Sequence, residues 1–284
     1  MGLKKRLLDL AAAGLRGCIR VTVGRNRASQ VLAHLSEQLV PIVEQDAGIG
    51  SLKFFCPSYL PEWRARTLMS KEPETLEWID GFAKTDVLWD VGANVGLYSL
   101  YAALRGLTVL SFEPSPGNYY LLSRNVELNG FDERIASYCI AFNDDTRLDS
   151  FYMANTDLGG ALSSFGEATD WKGEIFKAKF RQAMVGYSID DFIRQFSPPF
   201  PNHLKIDVDG IEKKIVAGAS KTLADPRLES VLIELNVNLG ETAEIIRAME
   251  DCGLSLAKRE HAEAYYLGEA KAIYNHIFVR KNPA

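Results

Sequence analysis

The segment VLWDVGANVGLYSLYAALRGLTVLSFEPSPGNYYLLSRN, Val87 to Asn125, limits the folds open to this chain more than any other. An apolar run, Val87 to Trp89, ends in Asp90. The turn Gly92-Ala93-Asn94-Val95-Gly96 then leads into an apolar-periodic helix over Leu97 to Leu104. Gly106 suits a left-handed cap at the end of that helix. A second apolar run, Thr108 to Phe112, ends in Glu113. The pattern reads as strand, glycine turn, helix, strand, with an acid about twenty residues past the turn, a layout that binds nucleosides. The glycines let backbone approach a ligand closely, and the helix start offers free N–H groups to an anion. A carboxylate at the tip of the second strand can accept both ribose hydroxyls, and at an otherwise apolar strand end it needs a partner. A tight strand–helix turn with no ligand is the plain alternative.

A dinucleotide fingerprint requires G-x-G-x-x-G. Here the spacing differs, and Tyr98 and Ser99 stand where small residues belong. The D-x-G-x-x-x-G pattern at 90–96 instead resembles motif I of class I S-adenosylmethionine-dependent methyltransferases. Further runs extend the likeness: D-V-G-A-N-V-G-L-Y-S at 90–99, F-E-P-S-P at 112–116, N-V-E-L-N at 125–129, L-K-I-D-V-D-G-I-E at 204–212, G-A at 218–219 and L-I-E-L-N at 232–236. In order and spacing they resemble the FkbM family of methyltransferases over roughly Glu72 to Asn236. One departure is Asp209, where family members usually carry Glu.

The resemblance implies an α/β fold, a Rossmann-like doubly wound sheet, mostly parallel with an antiparallel edge. It implies S-adenosylmethionine as cofactor, and methyl transfer to a hydroxyl of a sugar, glycan or other secondary metabolite. A nicotinamide-dependent oxidoreductase or a non-catalytic nucleoside-binding module is the alternative. The expected cofactor contacts are Glu72, Asp90, Gly92, Ala93, Asn94, Gly96, Glu113, Pro114 and Asp207. A branched side chain at Gly92 is expected to intrude on the methionine moiety.

The chemistry is expected at another strand tip. Leu204-Lys205-Ile206 leads into Asp207-Val208-Asp209-Gly210-Ile211-Glu212, three acids within six residues. Glu212 suits the first turn of the next helix on charge grounds alone. Asp207 and Asp209 repel unless they bind something. Methyl transfer to oxygen needs in-line alignment and removal of the hydroxyl proton, and Asp207, Asp209 and Glu234 are the candidate catalytic residues. A divalent metal could lower the hydroxyl pKa instead. Asp207, Glu234 and Asn236 resemble the oxygen ligands that hold magnesium in catechol-type O-methyltransferases, but a structural role for Glu234 fits equally. His203 precedes its strand and is expected to point away from the tip. His34 and His276 have no motif around them, and His261 lies in a polar loop that could reach the site.

At 284 residues there is room for one large catalytic domain and an extension. The division is expected at residues 1–70, a helical cap, and 71–284, the catalytic domain. The cap would cover the mouth of the cofactor site or form a homo-oligomer contact. A net charge of −5 disfavours a nucleic-acid partner. Cys18, Cys56, Cys139 and Cys252 form no C-x-x-C pair and read as reduced thiols of a cytoplasmic protein. No stretch is apolar enough to span a bilayer. Gly2 to Leu15 superficially resembles a signal peptide, but Asp9 and Arg16 interrupt it and no cleavage site follows. An amphipathic helix, lying on the domain or on a membrane surface, is the better reading.

Helices are expected near 2–17, 27–46, 72–78, 95–105, 117–128, 188–196, 211–223 and 241–252. Strands are expected near 86–90, 108–112, 134–140, 203–207, 230–235, 254–259 and 275–280, and residues 50–70 read as extended. Between the third and fourth of these strands the chain spends about sixty residues, far more than a crossover requires. Leu148 to Met153 and Phe180 to Tyr187 look like added strands. Asn155 to Phe165 between them is either a surface loop or a substrate-facing lid.

Overall fold

Pro41 marks the first change of structure. In the computed structural model, which describes residues 2–280, the chain divides at residue 42 into two compact units. The first holds helices α1 (Gly2–Val23) and α2 (Arg25–Leu39), joined at Gly24 with φ of 78°. Of Val31, Leu32, Leu35 and Leu39, expected on one face of α2, the first three are half-buried, while Leu39 at the helix end is exposed. The helix expected to reach residue 46 stops at Leu39. Val40, before a proline, is held in extended backbone, and β1 (Ile42–Asp46) follows.

In the second unit β1 pairs with β2 (Ser51–Phe55). The expectation of extended chain to residue 70 fails beyond it, because α3 (Tyr59–Lys71) is a helix. Pro61 lies in the first turn of α3, where a missing N–H costs nothing, and Pro57 lies just before the helix, so these two prolines mark its start. α4 (Pro73–Asp80) begins on a proline in the same way. Leu52, Phe54, Ala65 and Leu68 are buried in one core with Leu88 and Leu100. That shared core is why the compact division falls at 42 and not at the expected residue 70; residues 1 and 281–284 of the expected ranges lie outside the described residues.

The main sheet then alternates with helices: β3 (Val87–Val91), α5 (Leu97–Leu104), β4 (Thr108–Phe112), α6 (Pro116–Asn129) and β5 (Ile135–Tyr138). An inserted four-stranded sheet follows, made of β6 (Ala141–Phe142), β7 (Arg147–Met153), β8 (Ser163–Phe165) and β9 (Phe180–Tyr187) in the order β6-β9-β7-β8. The chain returns through α7 (Ile189–Phe196), β10 (His203–Ile206), α8 (Glu212–Ala217), α9 (Ser220–Ala224), β11 (Ser230–Asn236), α10 (Gly240–Asp251), β12 (Leu254–Glu260) and β13 (Ile273–Arg280). The helix expected over 211–223 breaks at Gly218 and Ala219. A Cβ on Gly218 would lie 2.2 Å from the Asn143 carbonyl oxygen, so only glycine permits that backbone contact.

The seven main strands run β12-β13-β11-β10-β3-β4-β5. All pairings from β11 to β5 are parallel, while β13 lies antiparallel between β11 and β12. The expected doubly wound class is therefore the one observed. Side chains alternate across the sheet: Leu88 and Val109 enter the core shared with α3 and α5, and Trp89 and Leu110 the core on the other face. The order reverses between β3 and β10, which opens a crevice at their carboxyl ends. Register places the site there. Ile206 pairs with both Val91 and Ile233, and Val91 pairs with Phe112. Gly92, Glu113, Asp207 and Glu234 thus emerge at one end of four neighbouring strands. Among the described residues no helix is long and apolar enough to cross a membrane.

Candidate active site

Gly92 shows how tightly these strand ends are built. Its φ is 87°, and a Cβ there would lie 1.9 Å from the carbonyl oxygen of Asp207. The clash expected with a ligand is in fact a clash with the neighbouring strand. The Gly92 and Ala93 amides both donate to the Phe112 carbonyl, at 2.9 and 3.1 Å. Asn94, in left-handed backbone at φ 52°, turns its amide onto Glu113 Oε2 at 2.8 Å, and the Ser115 amide donates to Oε1 at 2.8 Å. Each Glu113 oxygen is thus fixed by one amide and retains accepting capacity. Burial pushes Glu113 up to about 7, against the Ser115 and Asn94 amides that favour its charge. The Oδ1 of Asn94 is buried without a partner. A buried carboxylate and an orphaned amide oxygen on one pocket wall fit a ligand rich in hydroxyl and amino donors, as the expected nucleoside cofactor is.

Gly92, Asn94, Glu113, Pro114 and Asp207 line this pocket, and Glu72 and Ala93 line a smaller adjoining one with Tyr98 and Lys205. Asp90 and Gly96 sit behind the turn. Asp90 Oδ2 accepts from Ser99 Oγ at 2.6 Å, which accepts from Ser111 Oγ at 2.7 Å. A Cβ on Gly96 would meet Leu122 Cδ1 at 2.5 Å, so this glycine lets α5 and α6 approach.

The acidic turn divides its labour. Asp207 and Asp209 both line the pocket. Lys205, 1% exposed, donates to Asp207 Oδ2 at 2.6 Å and lies 4.9 Å from the Tyr98 ring centroid. Burial opposes its charge, but Asp207, Asp90 and Glu72 outweigh burial and raise its pKa. Asp209 Oδ2 accepts the amides of Leu162 and Ser163 at 2.5 and 3.2 Å; burial nevertheless pushes it up to about 6. Glu212 accepts the Gly210 amide at 3.1 Å and faces a separate cleft beside Asn236. Burial takes it up to about 8.

Glu234 lies across the pocket with Lys71, and Tyr266 OH donates to its Oε1 at 2.9 Å. Burial first, then the Asp207 charge, push Glu234 up to about 8. Lys71 is ion-paired with Glu72. Burial disfavours the Glu72 charge, but Lys71 and Lys205 prevail and hold it at about 2.

The magnesium expectation does not fit this donor set. Asn236 Nδ2 donates to the Trp171 carbonyl at 3.2 Å and its Oδ1 accepts the Asn238 amide at 3.0 Å. Two ammonium groups, Lys205 and Lys71, already pair with Asp207 and Glu72. A divalent ion would meet those cations at short range.

The 155–163 segment closes over the pocket. Gly160 O accepts from Asn94 Nδ2 and Asn118 Nδ2 at 2.9 and 3.0 Å, while Asn118 Oδ1 accepts the Gly159 amide at 2.8 Å. Arg64 Nε donates to Gly159 O at 2.7 Å. The guanidinium lines the pocket and makes no ion pair among the described residues.

Of the histidines, His261 stacks between Tyr266 and Tyr274, at 5.0 and 4.1 Å, one layer behind the pocket. His203 is buried at the opposite end of its strand, stacked on Phe82 at 3.5 Å. Sequence reasoning missed Arg64, Lys71, Lys205, Asn118 and Tyr266. Lys205 carried a signal, since a lysine inside an apolar strand requires a buried partner. Arg64, Lys71 and Tyr266 belong to segments without a motif.

The family description "Methyltransferase FkbM domain" matches residues 90–256. The chain is similar to the hexuronic acid methyltransferase AglP of Haloferax volcanii, 22% identical over 80% of this chain and 88% of that protein. It is also similar to the 31-O-demethyl-FK506 methyltransferase FkbM of Streptomyces tacrolimicus, 26% identical over 62% and 75% of the two chains. Among solved structures, a methyltransferase from Agrobacterium tumefaciens aligns at TM-score 0.47 and 10% identity, covering 86% of this chain and 71% of that one.

Proposed function

The chain belongs to the FkbM methyltransferase family, and from that premise we propose that it transfers a methyl group from S-adenosylmethionine to a hydroxyl oxygen of a sugar, glycan or secondary metabolite. The observation that carries the reading is a single pocket lined by Glu113 on one side and by Asp207, Asp209 and Glu234 on the other. The first wall suits a nucleoside; the second suits proton removal. The relatives support the acceptor class through their names, one a hexuronic acid methyltransferase and one a 31-O-demethyl-FK506 methyltransferase.

Bound in this cradle, S-adenosylmethionine supplies a methyl carbon already activated by its sulfonium. Glu113 accepts the ribose hydroxyls with a carboxylate preset by the Asn94 and Ser115 amides. Arg64, whose Nε is anchored on Gly159 O, offers its remaining N–H groups to the cofactor carboxylate, a bidentate match. Asn94 Oδ1, otherwise unpartnered, accepts from the cofactor's amino group. Asp207 is oriented through Oδ2 by Lys205, and Oδ1 takes the proton of the acceptor hydroxyl. Asp209, with both lid amides on one oxygen, holds the 155–163 segment down and excludes water. Glu234 and Tyr266 form the wall that positions the acceptor.

Calorimetry with S-adenosylhomocysteine and with nicotinamide adenine dinucleotide tests the cofactor, and radiolabelled methyl transfer to a panel of glycosides tests the acceptor. Homocysteine-nucleoside binding without dinucleotide binding is expected; the converse would overturn the reading. Arg64→Gln should weaken S-adenosylhomocysteine about tenfold or more, yet leave 5′-methylthioadenosine, which lacks the carboxylate, unchanged.

A further inference from the structure

Helix α1 (Gly2–Val23) carries an apolar face that nothing within its own unit covers. Leu7, Leu8, Leu10, Leu15 and Val21 are 53–88% exposed. At 100° per residue, Leu7, Leu10, Gly14, Cys18 and Val21 fall on one stripe, with Leu8, Leu15 and the half-buried Ile19 beside it. Arg6, Asp9, Arg16 and Arg20 fall opposite. The apolar arc covers about half the circumference, wider than the two-in-seven seam of a coiled coil.

Charge identifies what covers it. Residues 1–42 hold seven Lys and Arg against two acids, Asp9 and Glu37, a net of +5. The whole chain is −5, so the rest carries −10. This basic excess is concentrated on and just after the polar side of the exposed helix, through Arg25 and Arg27. Two copies packed through this arc would bring two segments of net +5 together, a like-charge repulsion that opposes pairing with a second chain. An exposed apolar arc backed by a basic polar face is the pattern of a helix lying in the interface of an anionic bilayer, with leucines among the acyl chains and arginines reaching to the headgroups. The same charges bar the helix from spanning the membrane. We propose that α1 docks the protein on an anionic lipid surface, independently of the chemistry in the catalytic unit.

The test is sedimentation of the full chain with vesicles of phosphatidylcholine alone, and of phosphatidylcholine with one quarter phosphatidylglycerol. Binding to the anionic vesicles at least about tenfold stronger is expected, with release as salt is raised from about 0.1 to 0.5 M. Leu7→Ser/Leu10→Ser/Leu15→Ser should abolish binding by removing the apolar face. Arg16→Glu/Arg20→Glu should abolish the preference for anionic lipid while leaving the apolar face intact. In both variants unchanged circular dichroism and unchanged S-adenosylhomocysteine affinity would report intact folding. No vesicle binding would overturn the proposal. Equal binding to neutral vesicles would also overturn it, as would a dimer in analytical ultracentrifugation that the leucine substitutions dissociate while vesicle binding persists.

Discussion

Glu113 enters the main pocket, the proposed cofactor site, with both oxygens already oriented by the Asn94 and Ser115 amides, at 2.8 Å each. Glu113→Ala therefore removes a charged acceptor from two hydroxyls. Hydrogen bonds to charged groups contribute about 1.5–3 kcal/mol, so S-adenosylhomocysteine affinity should fall about ten- to a hundredfold in calorimetry. The carboxylate form is the one that accepts from the diol, and burial sets this carboxyl at about 7. Affinity should fall roughly tenfold from pH 8 to pH 6, the loss of the ionised fraction across that pKa, and Glu113→Gln should flatten the dependence. Unchanged affinity in Glu113→Ala would refute the role. Asp207→Asn keeps the shape and an oxygen for Lys205 but removes the base. Turnover should drop about 10² to 10⁴ while S-adenosylhomocysteine affinity stays near wild type; full activity in that variant would move the base to Glu234. Glu113 and Asp207 are legible in sequence because each ends an apolar run, where a charge requires a reason. Arg64 and Tyr266 are not, because nothing in their local patterns marks the distant partners that bring them to the pocket, Gly159 for one and Glu234 for the other.

The strand–turn–helix units of the main sheet are written locally, in apolar runs bounded by glycine and acid, and so their positions can be read directly. α3 is not, because Pro57 and Pro61 suggest irregular chain while in fact bracketing a helix start, and because the packing of Leu68 on Leu88 and Leu100 is long-range. The lid is half legible: its hydroxyl-rich composition marks a loop, but the clamp by Asn94, Asn118 and Asp209 joins residues far apart in sequence. Gly92 is legible as a glycine that matters, though the reason lies in its neighbour strand. Two substitutions separate the causes. Gly130 has φ of 65° and open space around it, whereas Gly92 combines φ of 87° with a carbonyl at 1.9 Å. Gly130→Ala should cost about 1–2 kcal/mol, the left-handed backbone penalty alone. Gly92→Ala should cost several kcal/mol more, because β10 must shift to admit the methyl group. Denaturant midpoints for the two variants check this, and equal losses would show that the strand ends have slack.

At the scale of the molecule, the site is a concentration of buried carboxyls whose cost falls due as pH rises. Burial holds Glu113 at about 7 and Glu212 and Glu234 at about 8. In each case the folded pKa lies above the unfolded one, so the protonated form stabilises the fold. That contribution is complete below an ordinary carboxyl pKa and is lost as pH climbs through the folded value. His203 and His276 act in the opposite sense, since burial lowers their pKa values; their effect ends near pH 6.5, the pKa of the unfolded chain. The Glu72 carboxyl, held at about 2 by Lys71 and Lys205, loses its stabilising effect only in acid. Between about pH 6.5 and 8.5 the buried carboxyls therefore decide the slope. The ligand-free protein should lose stability across that window, by about 1.4 kcal/mol for each unit of upward shift it still carries. S-adenosylhomocysteine should oppose the trend, because Glu113 binds it better when ionised and ligand binding adds stability by mass action. Calorimetric melting at pH 6.5, 7.5 and 8.5 would show a falling Tm without ligand and a ligand-induced gain that grows with pH. Glu212→Gln, outside the main pocket, should flatten the ligand-free slope and leave the ligand-induced gain intact. A ligand-free Tm that is constant or rising over this range would mean that these carboxyls are hydrated in solution, and the pocket more open than its closed lid implies.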